Sequence, residues 1–283
     1  MARDTDERLR RIAGLEDARI NLAEAALALA ARERPGVSPD PYLAHLGELI
    51  AAVRNQSENE NSKASKEAGA NLAARRNALS RILHEVHGYT GDQQSYDDLQ
   101  NANLMHVIDR RKGLPIALGI LYIHCGRSLG WDICGLNFPG HFLIRLDDGP
   151  ARMILDPFAG GKEVGVARLR TLLKSTHGPD AELSPAHYAP ASNRNILVRL
   201  QNNRKVRLIK ADQFAEALAA VEDMLLFAPG ESSLWHEAGL LNSHIGNLRA
   251  ALIAFGHCRD LMDSSIDRAR VDQLIKEINA RLN

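Results

Sequence analysis

Apolar residues recur along the first part of the chain at three- and four-residue steps. Leu15, Leu22, Ala25, Ala26 and Leu29 form one such stripe, and Pro35-Gly36 stops it. The spacing predicts an amphipathic helix that ends before residue 35. Ser38-Pro39-Asp40-Pro41 restarts the pattern, with Tyr42, Leu43, Leu46, Leu49 and Ile50 on the apolar face. From Asn55 to Ala70 there is almost no bulky apolar side chain. That stretch cannot bury much surface and reads as a loop or a fraying helix end. Leu72 to His87 is amphipathic again and ends at Gly88; a loop with turn chemistry and one short helix, around Asn101 to Asp109, follow.

The middle of the chain changes character. Gly113 to Leu129 is a compact apolar run with Pro115 near its first turn, where a missing N–H costs nothing, and Gly130 ends it. This predicts a buried helix from about Pro115 to Leu129. WDICGLNF, Trp131 to Phe138, reads as a strand broken by Pro139-Gly140. HFLIRLD and ARMILD then flank Asp148-Gly149, a strong hairpin signal. With an even-length turn centred between those two residues, His141 stands directly opposite Asp156, on one face of the sheet.

The chain is helical again from about Arg194, and here a repeat shows. Trp235, Gly239, Gly246, Ala251 and Phe255 fall at the small-residue and aromatic positions of a tetratricopeptide unit of about 34 residues, and Ala217 and Pro229 fit the unit before it. Two partial units are too few for a free-standing solenoid, so they must pack on the preceding domain or on the terminal helix from Ser264 to Leu282.

Composition mainly excludes. The 283 residues carry 35 Lys+Arg against 35 Asp+Glu, so the net charge is zero, and 45% are apolar, the profile of an ordinary globular protein of roughly two domains. A neutral chain lacks the excess that drives non-specific nucleic-acid binding. Arg194, Arg199, Arg204, Lys205, Arg207 and Lys210 form a local basic cluster, which a solvated helix face explains. The longest apolar run, Leu114 to Cys125, is about 12 residues, short of the ~20 that span a bilayer. The amino terminus alternates acid and base without an apolar leader pattern, so a cytoplasmic location is expected. Cys125, Cys134 and Cys258 are widely spaced and form no C-x-x-C. His84 and His87 have no metal-site spacing around them, and a helix end beside the last carbonyls explains them. Neither a cofactor nor a metal is implied.

A histidine opposed by an aspartate at a strand end is half of a nucleophilic triad, in which the carboxylate orients the imidazole. From spacing alone it is more readily a strand-end histidine held by an acidic neighbour for packing. Spacing leaves both readings open.

RRKGLPIALGILYIHCGRSLGW, NFPGHFLIRL and ILDPFAGG together resemble the transglutaminase-like SirB family of bacterial proteins, and PASNRNILVRLQNN and the helical tail extend the likeness over roughly Leu22 to Leu282. The resemblance implies an α+β fold: a papain-like, transglutaminase-type core of central helix on antiparallel sheet, with helices before it and a TPR-like helical region after it. On that basis residues 1–190 form the helical segment plus core, the core itself about 90–190, and residues 191–283 the TPR-like region. In active members of the wider superfamily a cysteine opens the central helix, and a histidine and an aspartate follow on adjacent strands. His141 and Asp156 match the histidine and aspartate, but Leu114-Pro115-Ile116 stands where the cysteine is required. Cys125 lies about 15 Å further along the helix at 1.5 Å per residue. The Arg110–Gly113 and Asn137–Gly140 loops would flank the cleft, making Arg111, Leu114, Pro115 and Asn137 its candidate lining. Arg111 would hold a carboxylate or phosphate there, or pair with Asp109 or another acidic residue. Asn101 and Asn103 are expected to cap the short helix. Two functions follow from different classes: a catalytically degenerate interaction protein whose C-terminal helices bind a protein partner, or a cryptic hydrolase or acyl-transfer enzyme using the His141–Asp156 pair.

Overall fold

The computed structural model describes residues 2–61 and 70–282, which fall into two compact units: the described residues of 17–196, and residues 2–16 with 197–282. In the first unit, helices α2 (Leu22–Glu33), α3 (Asp40–Asn61), α4 (Ala70–Leu79) and α5 (Leu104–Arg110) pack around α6 (Pro115–Ser128). Pro115 sits in the first turn of α6, and Gly130, with φ +74°, turns the chain away after it. Almost every side chain of α6 is buried, including Ile116, Ala117, Leu118, Ile120, Leu121, Tyr122, Ile123 and Cys125. Such a helix, apolar all round, needs neighbours on every side.

One of those neighbours is a four-stranded antiparallel sheet in the order β3 (Asp132–Gly135), β4 (Ile144–Asp148), β5 (Ala151–Asp156), β6 (Lys162–Glu163). Two glycines bring helix and sheet together. A Cβ on Gly119 would lie 2.5 Å from the Phe142 ring, and one on Gly126 would lie 2.9 Å from Ile133. The other face of the sheet presents Cys134, Leu136 and Leu143 to Leu169 and Leu173 of α7 (Val166–His177). A separate parallel pair joins β1 (Thr90–Gly91) to β2 (Lys112–Gly113).

Three sequence expectations change. The α3 helix continues through Asn61, because Leu49, Val53 and Ser57 extend one buried stripe and Gln56 donates to Glu60 at 2.7 Å. A small serine in that stripe hides it from a reading based on bulky apolar residues. The rest of that expected loop, residues 62–69, lies outside the described residues. The strand read over Trp131 to Phe138 is shorter, with Asn137 N donating to the Ala189 carbonyl beyond its end. The β4–β5 hairpin pairs Ile144 with Leu155 and Asp148 with Ala151. Its two-residue turn is therefore Gly149-Pro150, with Gly149 at φ +58°, the conformation a glycine supplies at the first central position. The register is shifted by two residues from the expected one, so every side chain keeps its face.

The second unit takes up the chain again within α8 (Asn193–Lys210); there α9 (Phe214–Phe227), α10 (Ser232–His244), α11 (Leu248–Asp260) and α12 (Ser265–Leu282) pack in succession, and α1 (Ala2–Ala13) lies on α9. Gly239 fits under Phe255, where a Cβ would lie 2.6 Å from the ring. Trp235 donates from Nε1 to the Pro229 carbonyl at 2.8 Å. Val271 and Ile278 of the terminal helix join Ala251, Phe255 and Cys258 in one core. The repeat pair thus closes on its own terminal helix.

Candidate functional site

His141 lies in the bend before β4, and Asp156 ends β5. The two-residue register shift makes them diagonal rather than directly opposed, and their side chains still meet: His141 Nε2 is 2.9 Å from Asp156 Oδ1. Both are largely shielded, with side-chain exposures of 18% and 10%. The same Asp156 oxygen accepts from Phe158 N at 3.0 Å and so caps the short turn Pro157–Ala159. The Phe158 ring then stands edge-on to the His141 ring, with centroids 6.2 Å apart at 86°. Phe158 also fills the space over Gly91, where a Cβ would sit 2.4 Å from it.

A carboxylate that fixes an imidazole produces a general base. Among the described residues His141 has no hydrogen bond to a thiol or hydroxyl; its bond is to Asp156. At the start of α6, Leu114 and Pro115 are buried and present no polar side-chain atom. Leu114 N donates to the Asn101 carbonyl at 3.0 Å. All three cysteines are free and buried. Burial pushes the Cys125 thiol up to about 12, and raises Cys134 and Cys258 as well. These are the opposite of the conditions that make a reactive thiolate.

The other candidate residues take separate places. Asn137 Nδ2 donates to the Pro190 carbonyl at 3.2 Å, tying its loop to the segment beside β3. Arg111 has no acidic partner among the described residues. Asp109 is taken by Arg34 at 2.7 Å and by the Tyr42 hydroxyl at 3.0 Å. Arg111 instead donates to the Tyr89 hydroxyl and lies 2.7 Å from His45 Nε2. Of the two asparagines expected to cap, Asn103 does so, accepting from His106 N at 3.1 Å. The buried Asn101 side chain bonds instead to the Ser95 carbonyl and Arg110.

Two features went unread in the sequence. The segment Ser80–Val86 is π-helical, which widens the turn. It places His84 against Gly160 and sends the Ser80 hydroxyl to the Gly160 carbonyl at 2.5 Å. An amphipathic stripe carries no signal for that widening. The second is Tyr122 of α6, whose hydroxyl is buried against Gly161 without a hydrogen-bond partner among the described residues. Burial, with Asp156 nearby, raises its pKa. In the basic cluster, Lys205 is buried and paired with Glu237 at 2.5 Å, so that residue is not part of a solvated face.

No helix among the described residues is long and apolar enough to cross a membrane, and they contain no group of three or more metal-ligating side chains. The family model described as the transglutaminase-like superfamily matches residues 40–202, and a tetratricopeptide-repeat model matches residues 205–276. The chain is 29% identical over 244 residues to a UPF0162 protein of Xylella fastidiosa, spanning 85% of this chain and 84% of that protein. It is 34% identical over 202 residues to a UPF0162 protein of Pseudomonas aeruginosa, spanning 71% and 69%. With a UPF0162 protein of Vibrio cholerae it shares 33% over 159 residues, 56% of this chain and 58% of the other.

Proposed function

We propose that this chain, which belongs to the transglutaminase-like superfamily, has lost that fold's thiol chemistry and works as an adaptor or regulatory protein that binds a protein partner. The observation that carries the reading is the start of α6, where Leu114-Pro115-Ile116 stands in place of a nucleophilic cysteine. The three buried cysteines with raised thiol pKa support it, since none has the electropositive, accessible setting of a catalytic thiol. The tetratricopeptide helices supply the means of action, because such units bury one face against each other and use another for peptides or proteins. Leu240 on α10 and Ile253 on α11 expose apolar side chains suited to such contact.

The test compares partner capture by chemical cross-linking for the wild type, the double variant Leu240→Glu/Ile253→Glu, and His141→Ala. The expected result is loss of the partner in the double variant and retention in His141→Ala; the reverse pattern would overturn the reading. Iodoacetamide labelling from pH 5.5 to 9 supplies the chemical arm. All three thiols should react slowly at pH 6, and a fast thiol that slows in His141→Ala would restore cysteine catalysis.

One observation favours a second reading. The His141–Asp156 hydrogen bond is formed, and such a pair can activate water without a covalent intermediate. A hydrolase of that kind loses its turnover in His141→Ala, and unchanged turnover eliminates it.

A further inference from the structure

Four polar side chains from four stretches of the first unit meet at one place: His45 on α3, His87 after the π-helical turn, Tyr89 before β1, and Arg111 between α5 and β2. The Tyr89 hydroxyl accepts from Arg111 Nη1 and lies 2.9 Å from His45 Nε2, the nitrogen that Arg111 also approaches. His45 Nδ1 is 3.2 Å from Glu48 Oε2. The His45 and His87 rings meet edge to face with centroids 5.5 Å apart. Arg111 Cζ is 4.8 Å from the centre of the Tyr89 ring. The bonds Arg111 makes all leave from Nη1. Its Nε and Nη2, which carry three of the five N–H donors of a guanidinium, have no bond to the described residues.

The charge around this cluster is lopsided. It holds one permanent cation and two histidines, and the carboxylate facing them is Glu48, whose side chain is 71% exposed. Asp109 is taken elsewhere. Arg111 also adopts φ 60°, ψ 20° as it closes α5, a left-handed conformation that disfavours a non-glycine residue. An arginine thus occupies a backbone position where glycine would cost less, and its side chain makes no compensating ion pair.

We propose that Arg111, His45 and His87 form a binding site for a small phosphate-class oxyanion, inorganic phosphate or a phosphate monoester. The inference stands apart from the adaptor reading. In the free cluster His45 Nε2 accepts a hydrogen bond from its neighbours, so His45 is neutral with its other proton toward Glu48. Protonating Nε2 turns the acceptor into a donor facing a guanidinium 2.7 Å away, which is unfavourable unless a bound anion draws both cations onto itself. A phosphate dianion meets that requirement: its oxygens outnumber the two of a carboxylate, and they match the free guanidinium donors and two imidazolium N–H groups. Binding is therefore coupled to proton uptake. Burial holds both histidines below their ordinary range, His45 adding to this for His87 and the Arg111 charge for both, with Glu48 opposing; a bound anion offsets these positive charges. Tyr89, faced also by Asp109 and Cys125, stays neutral because burial raises its pKa.

The experiment follows the histidine C2–H resonances of the full chain by proton NMR between pH 5 and 8 at constant ionic strength. Inorganic phosphate, O-phosphoserine and acetate are the titrants, and His45→Gln and His87→Gln assign the signals. Phosphate should move both titrations to higher pH and bind more tightly at pH 6 than at pH 8. Tighter binding of O-phosphoserine marks a monoester site, and equal binding marks a phosphate site. Arg111→Gly, which suits the left-handed backbone and so retains the fold, should weaken phosphate binding about tenfold or more, the scale of a lost bidentate contact. Arg111→Lys should fall between the two. Unmoved histidines in the wild type, equal binding by Arg111→Gly, or acetate binding as tightly as phosphate would each overturn the proposal.

Discussion

Two buried tyrosines of the first unit should respond with opposite sign to losing the same hydroxyl. Tyr122 and Tyr89 are each 1% exposed. The Tyr122 hydroxyl is buried without a partner among the described residues, whereas the Tyr89 hydroxyl accepts from Arg111 and lies 2.9 Å from His45. An unsatisfied buried polar group costs about 1–3 kcal/mol, so Tyr122→Phe should stabilise the fold by up to that amount. Shape is unchanged and no cavity forms, so no packing loss opposes the gain. In Tyr89→Phe the broken bond is to a charged donor, worth about 1.5–3 kcal/mol, and Arg111 is left short of an acceptor. That variant should lose about 2 kcal/mol. The first unit spans 180 residues (17–196), so each kcal/mol should move its midpoint by roughly 2–4 °C. Urea and thermal unfolding followed by circular dichroism would read both variants against the wild type. If Tyr122→Phe destabilised the fold by 1 kcal/mol or more, its hydroxyl would be bonded in solution. The account of the interface between α6 and Gly161 would then be wrong.

Gly239→Ala should destabilise the second unit, because the added methyl meets the Phe255 ring at 2.6 Å. Overpacking of about 1–3 kcal/mol exceeds the roughly 1 kcal/mol gained in helix propensity, and Phe255→Leu should restore part of the loss in the double variant. Acid should weaken the fold well above the carboxylate range. His45, His87, His106 and His124 all have pKa values lowered, in each case chiefly by burial, so the unfolded chain binds more protons than the folded one. Their contribution is complete above the unfolded value of about 6.5 and is lost as pH falls below it toward the folded values. Thermal midpoints measured from pH 8 to pH 5 should therefore drop below pH 6.5, less so in His124→Gln; a flat profile would refute the assignment.

The parts of the fold that were legible are those set by short-range chemistry. Pro115 and Gly130 bracket α6, and the alternation on either side of Asp148-Gly149 gives the β4–β5 hairpin and the shared face of His141 and Asp156. The register was misplaced because Asp148-Gly149 is a stronger turn signal than Gly149-Pro150, although a proline is well tolerated after a left-handed glycine. The cluster of His45, His87, Tyr89 and Arg111 could not be read at all. Its members come from a helix face, a widened turn and the ends of two short parallel strands, and no local period links them. For Arg111 the sequence did give half a signal, a basic residue with an acidic neighbour two positions before it, but Asp109 turns to Arg34 and Tyr42. The packing of α1 on α9 escaped for the same reason, as it joins elements some 200 residues apart.

The His141–Asp156 pair has a structural explanation in its own contacts. Asp156 receives His141 Nε2 and Phe158 N on one oxygen. By capping the turn after β5 it fixes Phe158 over Gly91 and starts the left-handed pair Gly160-Gly161. That pair lets His84 and Tyr122 approach the backbone more closely than any Cβ would permit. Four elements, β1, the π-helical segment, α6 and β5, therefore depend on the geometry that one carboxylate sets. An aspartate so placed serves the fold whether or not a substrate ever reaches the histidine. Its presence is accordingly weak evidence for chemistry, whereas the apolar start of α6 bears on chemistry directly, because it offers His141 neither a thiol nor a hydroxyl. The contrast between a pair with structural work and an apolar start to α6 supports the proposed binding role.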